Sequence, residues 1–225
     1  SAASDVYKRQ GHQCQVWMSE PCRNLNNLQL AAGENTMIGV LAVQGDFLEH
    51  INMLSKIGAD SKEIRLPEQL DGLDGLIIPG GESTTIVQLI DIYGFRDCLI
   101  ESVSNGLAVW GTCAGMIAIA KSLTDSRPKP LGLMDIEVTR NAFGRQVDSF
   151  ETYLNIAEIG NPDLHAVFIR APKVIKAGTQ VQVLARSEDG SPVAVREKRM
   201  LATSFHPELT DDTRLHKLFL DMSLS

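Results

Sequence analysis

The chain has 225 residues, 44% of them hydrophobic and 22% charged, with a formal net charge of −7. That length fits one large α/β domain or two small ones and can bury a sizeable core, and the composition is that of an ordinary soluble globular protein. The acidic balance, uncompensated by any local cluster of lysine and arginine, excludes nucleic acid as the expected partner.

Residues 1–36 are rich in Asn, Gln and Ser, lack apolar periodicity and contain no apolar run of the kind that marks a signal peptide. They are expected to be a disordered or non-native extension, with a targeting or docking arm as the alternative, and a single domain is expected over residues 37–225. Met37 is followed at once by the apolar run Ile38–Val43, a strand. Asp46–Ile57 reads as a helix, with Phe47, Leu48, Ile51 and Leu54 at helical spacing. Ile64–Leu66 is a weak strand, and Gly75–Ile78 is a strong one that runs into Pro79-Gly80-Gly81. Ser83–Tyr93 and Phe95–Ser104 read as helices separated by Gly94. Leu107–Trp110 is again a strand, followed by a turn and a helix through Met116–Ala120. This alternation implies a mainly parallel sheet with helices on both faces.

The stretch Ser102–Ala120 carries no charge, which raises the question of a membrane span. Its polar residues and three glycines split it into two short apolar blocks, whereas a span needs about 20 predominantly apolar residues, so the span is rejected. Beyond it the pattern changes. Residues 136–138, 153–156, 166–169, 181–185, 193–196 and 201–205 are short runs bounded by turn residues, as expected of an antiparallel extension attached to the parallel sheet. The segment 124–130 is polar and proline-rich, an exposed loop. Asp211–Met222, with acidic residues in a first turn after Thr210, reads as a closing helix.

Four cysteines at positions 14, 22, 98 and 113 have no C-x-x-C spacing and read as reduced thiols in a cytosolic protein. Cys113 stands apart from the others. It lies in Gly111-Thr112-Cys113-Ala114-Gly115, between a strand and a helix, where small neighbours allow a strained turn that exposes a nucleophile. The unpaired N–H groups at the start of the following helix favour a thiolate and a developing oxyanion. A buried, inert thiol is the alternative, and the flanking glycines together with a downstream base favour the nucleophile. That base is His206 in Ser204-Phe205-His206-Pro207-Glu208, with Glu208 placed to reach the imidazole from behind. Alone, His-x-Glu is a weak pattern; joined to the cysteine elbow it is a strong one. His12, His50, His165 and His216 have no matching arrangement and no metal-ligand spacing.

Pro79-Gly80-Gly81-Glu82-Ser83-Thr84-Thr85 follows a strand, and its glycines let backbone approach a substrate, so an amide there can be a second oxyanion donor beside the Ala114 N–H. The alternatives are a phosphate loop, for which the spacing and the lysine are missing, and a helix cap by Ser83 or Thr84. Arg140 and Arg170 each end a strand and are suited to holding a substrate carboxylate; their default reading is as surface arginines.

Together these segments resemble the class I, triad-type glutamine amidotransferases, and more narrowly the family of glutaminase subunits of pyridoxal phosphate synthase. The motifs that carry the resemblance are Gly39–Asp46 with His50, Pro79–Thr85, Gly111–Gly115, Arg140–Phe150, Phe168–Pro172 and Ser204–Leu209, so that it runs from Met37 nearly to the C-terminus. Other amidotransferases typically have Cys-Leu-Gly at the elbow, where this chain has Cys113-Ala114-Gly115. The resemblance implies a flavodoxin-like α/β fold whose mainly parallel central sheet carries an antiparallel extension. It implies that Cys113, His206 and Glu208 hydrolyse L-glutamine through a thioester, with the amides of Gly81 and Ala114 as oxyanion hole. Gly81, Glu82, Ser83, Arg140, Ile169 and Arg170 would bind the substrate.

The implied partner is a (β/α)₈-barrel synthase subunit in a large hetero-oligomer, which takes up the ammonia to make pyridoxal 5'-phosphate. No cofactor, metal, nucleic acid or membrane is implied, and the location is cytoplasmic. The glutaminase is expected to be poorly active alone, a Gly80–Gly81 peptide flip completing the oxyanion hole on docking. The alternatives are a glutaminase serving another synthase, such as that for imidazole glycerol phosphate, a non-catalytic docking module, and a cysteine hydrolase or protease of related architecture.

Overall fold

The structure, a computed structural model, describes residues 36–140 and 149–225. The expectations for the N-terminal extension, and for most of the Arg140–Phe150 motif, therefore lie outside the described residues. The first half alternates as the sequence predicts: β1 (Met37–Leu41), α1 (Phe47–Lys56), β2 (Asp60–Ile64), β3 (Gly75–Ile78), α2 (Ser83–Ile92), α3 (Phe95–Ser104), β4 (Ala108–Thr112) and α4 (Ala114–Ile119). The second half is strand-rich: β5 (Ala120–Leu123), β6 (Met134–Thr139), β7 (Ser149–Leu154), β8 (Leu164–Ile169), β9 (Lys173–Ala177), β10 (Gln182–Arg186), β11 (Pro192–Glu197) and β12 (Met200–Thr203), closed by α5 (Arg214–Leu224).

The central sheet has the order β10-β11-β12-β4-β3-β1-β2. Its five strands from β12 to β2 are parallel, and β10 and β11 extend it antiparallel. A mainly parallel sheet with an antiparallel extension is thus what the chain builds. The expectation is corrected in one respect, because not every second-half strand joins that extension: β5, β6 and β9 form a separate sheet, and β7 and β8 a hairpin of their own.

Strand residues alternate between two cores. Leu41, Leu76, Ile78, Val109 and Ala202 pack towards α2, α3, α4 and β6. Ile38, Val40, Ile77, Trp110 and Leu201 pack towards α1, α5 and the β7–β8 hairpin. This period of two on both faces is why the parallel strands read as unbroken apolar runs.

The differences from the sequence reading have physical causes. β2 is an edge strand, Asp-Ser-Lys-Glu-Ile, and only its Ile64 is fully buried, so an apolar run marks no more than its end. β9, Lys-Val-Ile-Lys-Ala, buries only Val174 and has no apolar run. In α1, Phe47, Ile51 and Leu54 face the core as their spacing predicts, together with His50 and Met53, whereas Leu48 is 53% exposed and lies outside that face. α5 begins at Arg214, because Asp211 and Asp212 belong to a preceding turn in which Asp212 accepts from the Arg214 backbone and guanidinium. Cys113 is a free thiol, and Cys14 and Cys22 lie outside the described residues. No helix among the described residues is long and apolar enough to cross a membrane.

Loops from the carboxyl ends of β1, β3, β4 and β12 converge at one edge of the parallel sheet, where doubly wound sheets place their ligand sites. The elbow there depends on close backbone packing. A Cβ on Gly115 would fall 1.9 Å from the Ile78 carbonyl oxygen, so α4 lies against β3 with no room for a side chain. Gly115→Ala is expected to cost at least about 1–3 kcal/mol, the usual range for overpacking, since the obstructing atom is backbone. Urea unfolding measures this, and a loss below half a kcal/mol would mean that α4 can slide off the strand.

Candidate active site

Cys113 is the residue between β4 and α4, and its φ of 47° and ψ of −103° are unusual for a side chain with a Cβ. The strain is held from two sides. The Cys113 N–H donates to the Thr203 carbonyl at 2.8 Å, and the Gly115 contact fixes the following turn. The adjacent strand β12 runs on into Ser204, Phe205 and His206. The His206 N–H donates to the Val167 carbonyl of β8 at 2.8 Å, so the hairpin anchors the imidazole.

His206 Nδ1 lies 2.6 Å from Glu208 Oε1, and Asp46 Oδ2 is 3.7 Å from the same nitrogen. The thiol of Cys113 adjoins the imidazole closely enough to raise its pKa. Burial alone would lower the pKa of His206, but the hydrogen bonds and charges of Cys113 and Glu208 overcome it and raise the value to about 10. Burial pushes the Glu208 carboxyl up from its ordinary value, against the pull of the imidazolium. Thiol, imidazole and carboxylate are therefore neighbours, with the carboxylate at the buried end.

A pocket of about 410 Å3 opens in front of them, lined by Cys113, His206, Gly81, Glu82, Ser83, Ala114, Arg140, Ile169 and Arg170. Every site residue read from the sequence lies on it except Glu208, which stands behind His206. Ile117 and Asp46 line it as well. Asp46, at the start of α1, has no role in the sequence reading, and its place after the β1 loop is the only local signal for it.

Several of these groups have partners within the chain. The Glu82 carboxylate caps α2, accepting from the backbone N–H of Thr84 at 3.0 Å and of Thr85 at 2.7 Å. The expected caps Ser83 and Thr84 are displaced, because the longer acidic side chain reaches both amides. Burial would raise the Glu82 pKa, yet the hydrogen bonds from Thr85 and Thr84 bring it below the ordinary value. Gln44 Oε1 accepts from the Glu82 N–H at 3.0 Å, and a Cβ on Gly81 (φ 153°) would sit 2.5 Å from that oxygen. The Gly80 carbonyl accepts from the Asp46 N–H at 3.2 Å. Arg140 donates to Asp125 at 3.1 Å and to Thr84 Oγ1 at 3.4 Å. Arg170 has a φ of 45°, and the carbonyl before it, on Ile169, is 3.7 Å from the Cys113 sulfur.

A thiol on a strand–helix elbow, backed by an imidazole and a buried carboxylate at the carboxyl edge of a flavodoxin-like sheet, is the geometry of triad-type glutamine amidotransferases. A solved glutamine amidotransferase structure matches with a TM-score of 0.79 at 49% identity, over 84% of this chain and 99% of that one. PurLQS from Thermotoga maritima shares the fold at a TM-score of 0.62 and 14% identity, over 84% of this chain and 99% of that one.

The chain belongs to the SNO glutamine amidotransferase family, whose model matches residues 40–225. It is 55% identical over 188 residues to the pyridoxal 5'-phosphate synthase subunit PdxT of Dehalococcoides mccartyi, which covers 83% of this chain and 96% of that protein. It is 49% identical over 185 residues to the subunit of the same name from Thermotoga neapolitana, over 82% of this chain and 98% of that protein.

The raised pKa of His206 has a consequence for stability. A folded-state value of about 10 against an ordinary 6.5 means that this contribution is complete below pH 6.5 and is lost as the pH rises through about 10. The wild type is therefore expected to lose stability relative to Cys113→Ala between those limits, and in that variant the His206 titration should fall well below 10. Histidine NMR and unfolding at several pH values measure both; an unchanged His206 midpoint in the variant would refute the pairing.

Proposed function

We propose that the chain hydrolyses L-glutamine to L-glutamate and ammonia, and passes the ammonia to a separate synthase subunit that makes pyridoxal 5'-phosphate. The observation that carries this reading is the juxtaposition of Cys113, His206 and Glu208 behind a pocket with arginines at its rim. The names of its relatives support pyridoxal phosphate as the destination over imidazole glycerol phosphate. A (β/α)₈-barrel partner and a cytoplasmic location belong to the same reading.

The Cys113 sulfur attacks the side-chain carboxamide carbon of glutamine, and the imidazolium of His206 gives its proton to the departing nitrogen as ammonia leaves. Water, deprotonated by the now neutral imidazole, then attacks the thioester and releases glutamate and the thiolate. Glu208 keeps the imidazole in one orientation and stabilises its positive form. The oxyanion is held by the amides of Ala114 and Gly81, each such donor being worth roughly 3–4 kcal/mol in the transition state.

Arg140 and Arg170 hold the α-carboxylate, with Ile169 and Ser83 beside it. Because the Glu82 carboxylate is engaged at the end of α2, that residue meets the ligand through its backbone. The Gly80–Gly81 peptide turns to present the Gly81 N–H, which requires release of the Asp46-to-Gly80 hydrogen bond. Docking of the synthase drives that turn.

Reaction with diazo-oxonorleucine, a glutamine analogue, is expected to label Cys113 and to fail in His206→Ala; labelling elsewhere, or none with the synthase present, would sink the scheme. Arg170→Ala should raise KM for glutamine tenfold or more while kcat changes little, corresponding to loss of about 1.5–3 kcal/mol from a charged hydrogen bond. Steady-state kinetics of the assembled complex decide that point, and the isolated subunit should turn over much more slowly than the complex. Equal rates would remove the docking step.

A further inference from the structure

Behind the pocket the line of polar groups does not stop at Glu208. Its Oε1 meets His206, while its Oε2 is fully buried without a well-aligned hydrogen bond. His50 Nε2, from α1, stands 3.3 Å from that oxygen and 3.2 Å from Thr112 Oγ1. On the other side of the ring, His50 Nδ1 lies 3.0 Å from Nε2 of His216 on α5. His50, His216 and Thr112 are each wholly inaccessible to solvent. Two histidines and a carboxylate buried together within an apolar core are costly unless their protons are arranged consistently.

We infer that His50 is a positioning residue, donating its Nε2–H to Oε2 of Glu208 and so fixing the carboxylate that orients His206. The inference deepens the proposed function and rests on it for its kinetic consequence, but the proton arrangement follows from the core alone. Burial, then His216 and then His206 hold His50 far below the ordinary histidine value, and burial followed by Lys56 takes His216 to about 3. Both rings are therefore neutral, with one N–H each.

Two arrangements are available. In the first, the His216 Nε2–H donates to His50 Nδ1, and the His50 Nε2–H faces the carboxylate. In the reverse, the Thr112 hydroxyl can donate to a His50 Nε2 lone pair, but that lone pair is also set against the Glu208 oxygen. The reverse also puts the His216 proton on Nδ1, a buried atom without a partner. An orphaned donor is rarer and costlier than an orphaned acceptor, and lone pair against carboxylate is repulsive. Both considerations select the first arrangement. The donors then run in one sense from the core outwards, His216 to His50 to Glu208, and the carboxylate receives a second donor from His206. The charged and titratable groups facing this cluster are Asp46 and Cys113 at His206, and Lys56 near His216.

In the unmodified chain labelled with 15N-histidine, NMR is expected to find His50 as the neutral Nε2–H tautomer from pH 6 to 9; the Nδ1–H tautomer overturns the inference. In the assembled complex, His50→Leu should lower kcat roughly ten- to a hundredfold with KM within about twofold. The acid limb of kcat/KM should move to higher pH, because an unsupported buried carboxylate takes up its proton more readily. His50→Gln, whose amide N–H lies near the position of Nε2, should restore most of the rate and the wild-type pH profile. A His50→Leu variant with the wild-type rate and profile, or a His50→Gln variant as poor as leucine, would refute it. Absence of glutaminase activity in the unmodified complex would defeat the proposed function instead, and the tautomer would still decide the role of His50.

Discussion

Glu208 places a carboxylate where water does not reach it, and such a charge is tolerated only when its oxygens meet donors. Much of the architecture around the pocket follows from that requirement. One oxygen is met by His206 two residues earlier, which obliges the chain after β12 to turn sharply through Pro207. The other faces α1, and so the first helix of the chain carries a histidine on its inward face at 0% exposure. Trp110 closes over the two core histidines, its ring 4.9 Å from His216 and 5.7 Å from His50. Its indole N–H is satisfied by Thr203 Oγ1 at 3.2 Å, so this buried polar atom is not left without a partner.

The sheet's other core has a different task. Towards α4 it contains no polar line, only close contact, with Gly115 against the Ile78 carbonyl and Gly111 against Gly115. That contact makes the conformation at Cys113 unavoidable, because neither β3 nor β4 can move within a parallel sheet flanked on both sides. Nucleophile and base are thus carried by neighbouring parallel strands that share a register, Thr203 opposite Thr112. The groups at the rim come from elsewhere: Arg140 from the end of β6 and Arg170 from the end of β8, both outside the central sheet. The chemistry sits on the rigid layer, and the recognition groups sit on smaller, separately packed layers.

What the sequence disclosed divides along the same line. Small residues around Cys113 and the spacing of His206 to Glu208 are local signals, because strained turns and adjacent hydrogen bonds leave their marks on near neighbours. The unbroken apolar strands β1, β3 and β4 were legible for a similar reason, since burial on both faces removes every charge from them. β2 and β9 were not, because an edge strand is defined by which neighbour it pairs with and its polar face masks the period. His50 was hidden more deeply. On a helix read by apolar spacing a histidine looks like solvent, yet His50 shares the inward face with Met53 and Leu54. Only the carboxylate brought to it from position 208 gives that histidine a reason to be inside, and no local pattern links two residues so far apart.

Three groups around the proposed binding site already have partners within the chain, and their energies differ in a useful way. The Glu82 carboxylate satisfies two helix amides and a hydroxyl, and releasing it would leave the end of α2 without its cap, typically about 1 kcal/mol and more with the charge. That commitment is the structural one. Arg140 is held by Asp125 across a partly exposed pair, with side chains 28% and 46% accessible, and such pairs are worth about 0–1 kcal/mol. The Gly80 carbonyl is held by one backbone hydrogen bond at 3.2 Å, about 1 kcal/mol net. A substrate carboxylate can replace Asp125 at little cost, and a docking protein can supply the energy to turn the Gly80–Gly81 peptide without disturbing the elbow. Under the proposed function, the site combines one rigid part, from Gly115 to Glu208, with two latches weak enough for a ligand and a partner to open in turn.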